Sequence, residues 1–134
     1  MTSVIEMLER YPRSLGIDTQ LLAKTLDALS DCASTCVLCA DACLAEDDLA
    51  GLVKCVNLNL DCADVCSATS RVLSRRTEHD PNVARPVLTA CIAVCKSCAD
   101  ECGRHAPHMP HCATCAESCR ACEQACRELL DATS

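Results

Sequence analysis

Sixteen cysteines, most of them three or four residues apart, constrain this chain more than any other feature of its sequence. Steps of three and four residues place side chains on one face of an α-helix, so each run predicts a helix with a sulfur-lined face. In chain order the runs are Cys32, Cys36, Cys39 and Cys43; Cys55, Cys62 and Cys66; Cys91, Cys95, Cys98 and Cys102; and Cys112, Cys115, Cys119, Cys122 and Cys126. Asn59 occupies the position in the second run where the spacing would place another cysteine.

Apolar periodicity and turn residues predict four long helices that carry these runs. They extend from Asp18 to about Glu46, from an N-cap at Asp47 to about Arg75, from between Pro81 and Pro86 to about His105, and from about Pro110 to Asp131. Residues 1–15 add a short amphipathic helix through Val4, Ile5, Leu8 and Tyr11. Leucines continue each cysteine face along its helix, so the cysteines face the core. We therefore predict an all-α fold, an antiparallel four-helix bundle with a short extra N-terminal helix, as a single domain over residues 1–134.

The charge pattern and the N-terminal residues narrow the location and the partners. The formal net charge is -7, the basic residues are scattered, and the chain has one tyrosine with no tryptophan or phenylalanine, which disfavours nucleic-acid binding. No secretory signal is evident, and no run approaches the ~18 apolar residues of a membrane span. We expect a cytoplasmic protein without a membrane partner. In that reducing compartment, many cysteines favour metal binding or redox chemistry over disulfides.

Several other roles for the thiols fit the sequence less well than the binding of a soft metal. Cysteine used as a core filler buries less apolar surface than leucine, and cysteines three or four residues apart on one helix point in parallel directions that disfavour disulfides. Zinc and iron–sulfur sites usually draw their thiolates from turns or loops, although a thiolate site of either kind remains an alternative. A metal-responsive sensor that binds one or two ions is a further alternative. A redox enzyme would need one exposed reactive pair, so we do not expect an enzyme.

Copper(I) suits the pattern best, because it is a soft ion that accepts two or three thiolates. A helix of 26 residues is roughly 39 Å long, so the thiols would line a tube that holds several ions. We predict that all sixteen cysteines bind Cu(I), with multiple ions per chain. The turn before the last helix adds His105, His108, Met109 and His111, which we interpret as a copper-uptake site at the mouth of the tube. Asp61, next to Cys62, is the weakest candidate ligand.

The cysteine pattern resembles that of the bacterial copper storage proteins, in particular their cytosolic branch. The resemblance rests on Cys32-xxx-Cys36-xx-Cys39-xxx-Cys43, Cys91-xxx-Cys95-xx-Cys98-xxx-Cys102 and Cys112-xx-Cys115-xxx-Cys119-xx-Cys122-xxx-Cys126, with the histidine-rich turn between the last two runs. It implies a four-helix bundle that assembles as a homotetramer, loads many Cu(I) ions on core cysteines and takes them up through histidine and methionine. A copper donor chaperone is then a candidate partner. The missing cysteine at Asn59 is a departure from a full second stripe.

Overall fold

The computed structural model of the chain describes residues 2–133, and within that range all regular secondary structure is helical. The elements are α1 (Thr2–Glu9), α2 (Thr19–Leu44), a 3-10 turn (Ala50–Leu52), α3 (Val53–Ser74), α4 (Pro81–His105) and α5 (Pro110–Ala132). The prediction of an all-α fold is thereby confirmed. Met1 and Ser134, which belong to the predicted domain, lie outside the described residues. Within the described range, no helix combines the length and the apolar content needed to cross a lipid bilayer.

Two of the four long helices begin at an aspartate N-cap, whereas α3 and α5 begin without a side-chain cap. Asp18 caps α2 by accepting a hydrogen bond from the Leu21 backbone nitrogen at 2.8 Å, and Asp80 caps α4 in the same way. The predicted N-cap at Asp47 is wrong, because the 3-10 turn intervenes and α3 begins at Val53 without a side-chain cap. Pro86 lies inside α4, one turn later than a proline is easily accommodated.

The four long helices pack in a ring. Helix α2 contacts α3 and α5, helix α4 contacts the same two helices, and α1 packs against α2. Cys32 of α2 meets Cys62 of α3, whereas Cys43 meets Cys55, so these two helices run in opposite directions. Val4 and Leu8 of α1 pack against the edge of the core.

Leucine and cysteine divide the core along its length. Fully buried leucines occupy the end where α2 and α4 begin, and we call it the leucine end; they are Leu22, Leu29, Leu73, Leu88 and Leu129. Cysteines, together with Asn59 and Leu52, form the remainder of the core up to the opposite end, which we call the histidine end because His105, Met109 and His111 lie there. The leucine layers bury more apolar surface per residue than the cysteine layers, so they contribute more hydrophobic stabilisation.

One outer surface of the ring carries exposed apolar side chains. Val37, Leu38 and Leu44 of α2 and Val53 and Leu60 of α3 are all between 45% and 69% exposed. We call these five residues the α2–α3 face. Helix α1 packs mainly against α2, so the N-terminal helix does not account for the exposed apolar side chains of α3.

Candidate metal-binding site

All sixteen cysteines are buried free thiols, each with at most 2% of its surface exposed. Each helical stripe faces the centre of the ring, as the spacing of three and four residues predicts. The sulfur atoms therefore form a column that is enclosed by four helices. The sequence reasoning identified every cysteine in that column.

Sulfur atoms from neighbouring helices lie in contact throughout the column. Cys36 Sγ lies 3.7 Å from Cys119 Sγ and 3.8 Å from Cys115 Sγ, both across the α2–α5 interface. Across the α3–α4 interface, Cys66 Sγ lies 3.7 Å from Cys95 Sγ. With a metal–sulfur bond of about 2.3 Å, as in zinc thiolates, two sulfurs on one trigonal ion are about 4 Å apart. The thiols are thus already spaced to bind trigonal ions without any movement of the backbone.

Groups of donor atoms that could hold one ion overlap along the column. Within each group, all donor atoms lie within 4.8 Å of one another. Five such groups are Cys32, Cys66, Cys95 and Cys122; Cys32, Cys36, Cys62 and Cys119; Cys36, Cys98, Cys115 and Cys119; Cys39, Cys102 and Cys115; and Cys39, Cys43, Cys112 and His111. Consecutive groups share a sulfur, so a thiolate that bridges two ions would join them into one array. This arrangement differs from a closed site for a single ion.

Asn59 interrupts the sulfur column with a buried carboxamide. Its Oδ1 accepts hydrogen bonds from the thiols of Cys115 at 3.1 Å, Cys98 at 3.2 Å and Cys102 at 3.6 Å. Its Nδ2 donates to Cys55 Sγ at 3.6 Å. The amide oxygen therefore stands where a fourth sulfur would complete the layer and is itself a donor atom for a metal. The sequence showed the gap in the stripe but not which helices this side chain would bridge.

Burial keeps two thiols near the histidine end, those of Cys43 and Cys112, protonated at neutral pH. Desolvation raises the pKa of Cys43 to about 11 and the pKa of Cys112 to about 12. Since a metal binds the thiolate, each ion that enters must displace protons from these groups.

His111 is in direct contact with the sulfur column. Its Nδ1 lies 3.4 Å from Cys39 Sγ and 3.6 Å from Cys112 Sγ, while its Nε2 lies 3.5 Å from Glu46 Oε1. The helical register placed this ring beside the cysteine stripe rather than on it. The length of the imidazole side chain brings Nδ1 to the sulfurs, which the register alone does not reveal.

The other members of the predicted uptake cluster lie differently. His105 directs Nε2 to the buried carboxylate of Glu101 at 2.8 Å, a contact that sequence reasoning missed. Met109 is half-buried and packs against the core, immediately before α5. His108 is exposed to solvent, so its imidazole faces outward at the same end.

Two polar side chains are placed away from the sulfur column. Asp61 is exposed and accepts a hydrogen bond from Asn57 Nδ2 at 3.3 Å, because the residue before Cys62 points about 100° away from the core face. The structure therefore does not bring Asp61 among the thiols. His79 is half-buried in the turn before α4, with Nδ1 3.1 Å from Arg76 Nη1.

Comparisons with a family model and with solved structures match this chain to copper storage proteins over most of its length. A family model described as Csp, copper storage protein, matches residues 18–131. The copper storage protein Ccsp from Streptomyces lividans, in a structure loaded with 10 copper equivalents, is 52% identical to this chain. The two structures superimpose with a TM-score of 0.94, and the match covers 96% of this chain and 98% of that one.

Two further relatives extend the comparison. A structure of a cytosolic copper storage protein from Streptomyces lividans with five coppers is 54% identical, with a TM-score of 0.82 over 84% of this chain and 93% of that one. The cysteine-rich protein YhjQ of Bacillus subtilis is 30% identical over 104 residues, which are 78% of this chain and 91% of that protein.

Proposed function

This chain belongs to the copper storage protein family, and from that premise we propose that it sequesters many Cu(I) ions on the thiolates of its core. The observation that carries the proposal is the overlap of the donor groups, which share sulfurs along the column. Cu(I) is soft, prefers thiolate ligands and tolerates low coordination numbers. A column of sulfurs 3.7–4.0 Å apart supports a chain of such ions in an antiparallel four-helix bundle.

The proposed ligands are the sixteen cysteines, with His111 joining them at the histidine end. The Nδ1 of His111 belongs to the same donor group as Cys39, Cys43 and Cys112, which supports its role as a ligand. The contacts of Asn59 Oδ1 with three thiols make it an additional oxygen donor that the spacing analysis did not include. Asp61 is outside the proposed set because its carboxylate is exposed.

We propose that copper enters at the histidine end. His105, His108, Met109 and His111 belong to the turn and helix ends there, whereas leucines fill the opposite end. Neutral imidazoles and a thioether bind Cu(I) less tightly than thiolates do, so an ion captured on them moves on to the interior. A copper donor chaperone would deliver its ion to the same end.

The proposal includes a cytoplasmic location and a homotetramer. The first is supported by the likeness to a cytosolic copper storage protein of Streptomyces lividans. The second is supported by the α2–α3 face, where Leu44, Val53 and Leu60 line one groove, because an exposed apolar patch commonly marks an interface between subunits.

Storage and sensing differ in the number of ions bound. A sensor, or a zinc or iron–sulfur site, would saturate after a few ions, while a store fills until the thiols are used. No catalytic role is part of the proposal, because the sixteen buried thiols are spread along the column rather than poised as one accessible reactive pair.

An anaerobic titration of the fully reduced protein with Cu(I), in competition with a chromophoric chelator, tests the proposal. We expect about one or more ions per thiol, with the thiols becoming inaccessible to a thiol reagent as copper binds. We also expect the unfolding temperature to rise with each addition, because the prearranged thiols of the folded chain bind the ion more tightly than those of the unfolded chain. Saturation at one to four ions would contradict storage and favour a sensor or a zinc-type site.

A further inference from the structure

Glu101 is the one charged side chain that is buried within the described part of the chain. It lies on α4 immediately before Cys102, close to the histidine end, and is only 5% exposed. Burial of a carboxylate costs free energy unless hydrogen bonds or opposite charges compensate for it. A buried acid beside the proposed copper-uptake site therefore calls for a specific partner.

Two side chains on the same helix supply hydrogen bonds to Glu101. Its Oε2 lies 2.8 Å from His105 Nε2, one helical turn later, and its Oε1 lies 3.0 Å from Arg104 Nη1. The Arg104 side chain is 70% exposed, so water screens its charge, whereas the His105 side chain is only 18% exposed. The imidazole is thus the partner that shares the buried environment of the carboxylate.

We propose that Glu101 is a positioning residue that holds His105 for copper uptake. The inference rests on the proposed function and specifies how one ring at the histidine end is prepared for Cu(I). In the neutral imidazole, a proton on Nε2 that is donated to Glu101 leaves the lone pair on Nδ1. Carboxylates commonly fix the tautomer and the orientation of metal-binding histidines in this way.

The second histidine at this end, His111, also lies near a glutamate. His111 Nε2 lies 3.5 Å from Glu46 Oε1 without a hydrogen bond between them, and its Nδ1 lies beside the thiols of Cys39 and Cys112. Both rings therefore have a glutamate on the Nε2 side, but only His105 is hydrogen-bonded to its glutamate. Of the two glutamates, Glu101 is therefore the one that can orient a ring through a hydrogen bond.

The rate of copper loading tests this inference in the full chain. The variants are Glu101→Ala, Glu101→Gln, His105→Ala and the double alanine variant, with Glu123→Ala as the matched control. Glu123 is also a partly buried glutamate in ion pairs with arginines, but it lies on α5 and contacts Arg127 at 2.9 Å. The readout is the initial rate of Cu(I) transfer from a chromophoric Cu(I) complex under anaerobic conditions, together with the final number of ions bound.

We expect Glu101→Ala to slow the initial transfer about tenfold, at the lower end of the effects of such orienting partners on metal binding. The final capacity and the rate of the Glu123→Ala control should not change. Glu101→Gln should recover most of the rate, since its amide oxygen still accepts the Nε2 proton. The double variant should be no slower than His105→Ala, because the two residues act through one ring.

A spectroscopic measurement separates positioning from a structural role. Nitrogen-15 NMR of the copper-free protein should show the proton of His105 on Nε2 in the wild type and a mixture of tautomers in Glu101→Ala. A wild-type ring protonated on Nδ1 would overturn the inference even if Glu101→Ala did not fold. If His105→Ala slows loading but Glu101→Ala does not, positioning fails while the uptake role of His105 stands. If His105→Ala loads at the wild-type rate, the uptake role of His105 is wrong. The storage proposal is then tested separately by the number of Cu(I) ions that the protein binds.

Discussion

Asn59 offers a direct test of the layered core, because one side chain joins three helices. Its carboxamide oxygen accepts hydrogen bonds from Cys98 and Cys102 of α4 and from Cys115 of α5. Its nitrogen donates to Cys55 on its own helix. Asn59→Ala removes all four contacts and leaves a void in a fully buried position.

The expected loss of stability follows from these contacts. A thiol is a weak donor, so each contact is assigned about 0.5 kcal/mol, the lower end of the range for a hydrogen bond. Four contacts then make the copper-free variant less stable by about 2 kcal/mol, before any cost of the void is added. With a urea dependence of about 2 kcal/mol per molar, the midpoint of unfolding should fall by about 1 M.

Urea unfolding of the copper-free protein, followed by circular dichroism under reducing conditions, measures this change. Asn57→Ala is the matched control, since Asn57 is exposed on the same helix and contacts only Asp61 among the hydrogen bonds described above. Its unfolding free energy should change by no more than about 0.5 kcal/mol. If Asn59→Ala and Asn57→Ala unfold at the same urea concentration, the carboxamide does not join the helices as argued.

Two further predictions concern the thiols. Cys36 belongs to two overlapping donor groups and contacts three other sulfurs, whereas Cys126 contacts Cys91 near the leucine end. We therefore expect Cys36→Ala to lower the copper capacity by about two ions and Cys126→Ala to lower it by about one. Equal losses in the anaerobic titration would argue against sulfurs shared between ions. Because burial raises the pKa of Cys43 to about 11 and of Cys112 to about 12, above the ordinary value of 9.0, the copper-free fold should lose stability as pH rises from about 9 toward 11. Thermal unfolding at pH 7, 9 and 10.5 measures this loss, and an unfolding temperature that rises over that range would contradict it.

The helices and the sulfur column were predictable because both depend on short-range periodicity. Positions three and four residues apart share a helical face regardless of tertiary detail, so the burial of Cys32, Cys95 or Cys122 follows from the spacing alone. The half-buried Val4 and Leu8 of α1 were expected for the same reason.

Features that depend on side-chain reach or on competition between local signals could not be read from the spacing. Asp47 has the chemistry of an N-cap, but the chain forms a 3-10 turn before α3 begins. His111 reaches Cys39 across a helix interface, although its own register is off the stripe. Glu101 is one of 19 acidic residues, and nothing in its sequence context marks it as the buried one.

The leucine end and the cysteine layers of the core contribute differently to the stability of the copper-free protein. Cysteine gives less hydrophobic stabilisation than leucine, so a core made only of thiols would be weak before copper arrives. The leucine end supplies apolar burial that does not depend on metal, with Leu22, Leu88 and Leu129 each at most 1% exposed. Those same leucines close the column at that end, which supports the proposed entry of copper at the histidine end. On that proposal, an ion bound deep in the column leaves after the ions loaded behind it, so release is expected to begin with the group that includes Cys39, Cys43, Cys112 and His111.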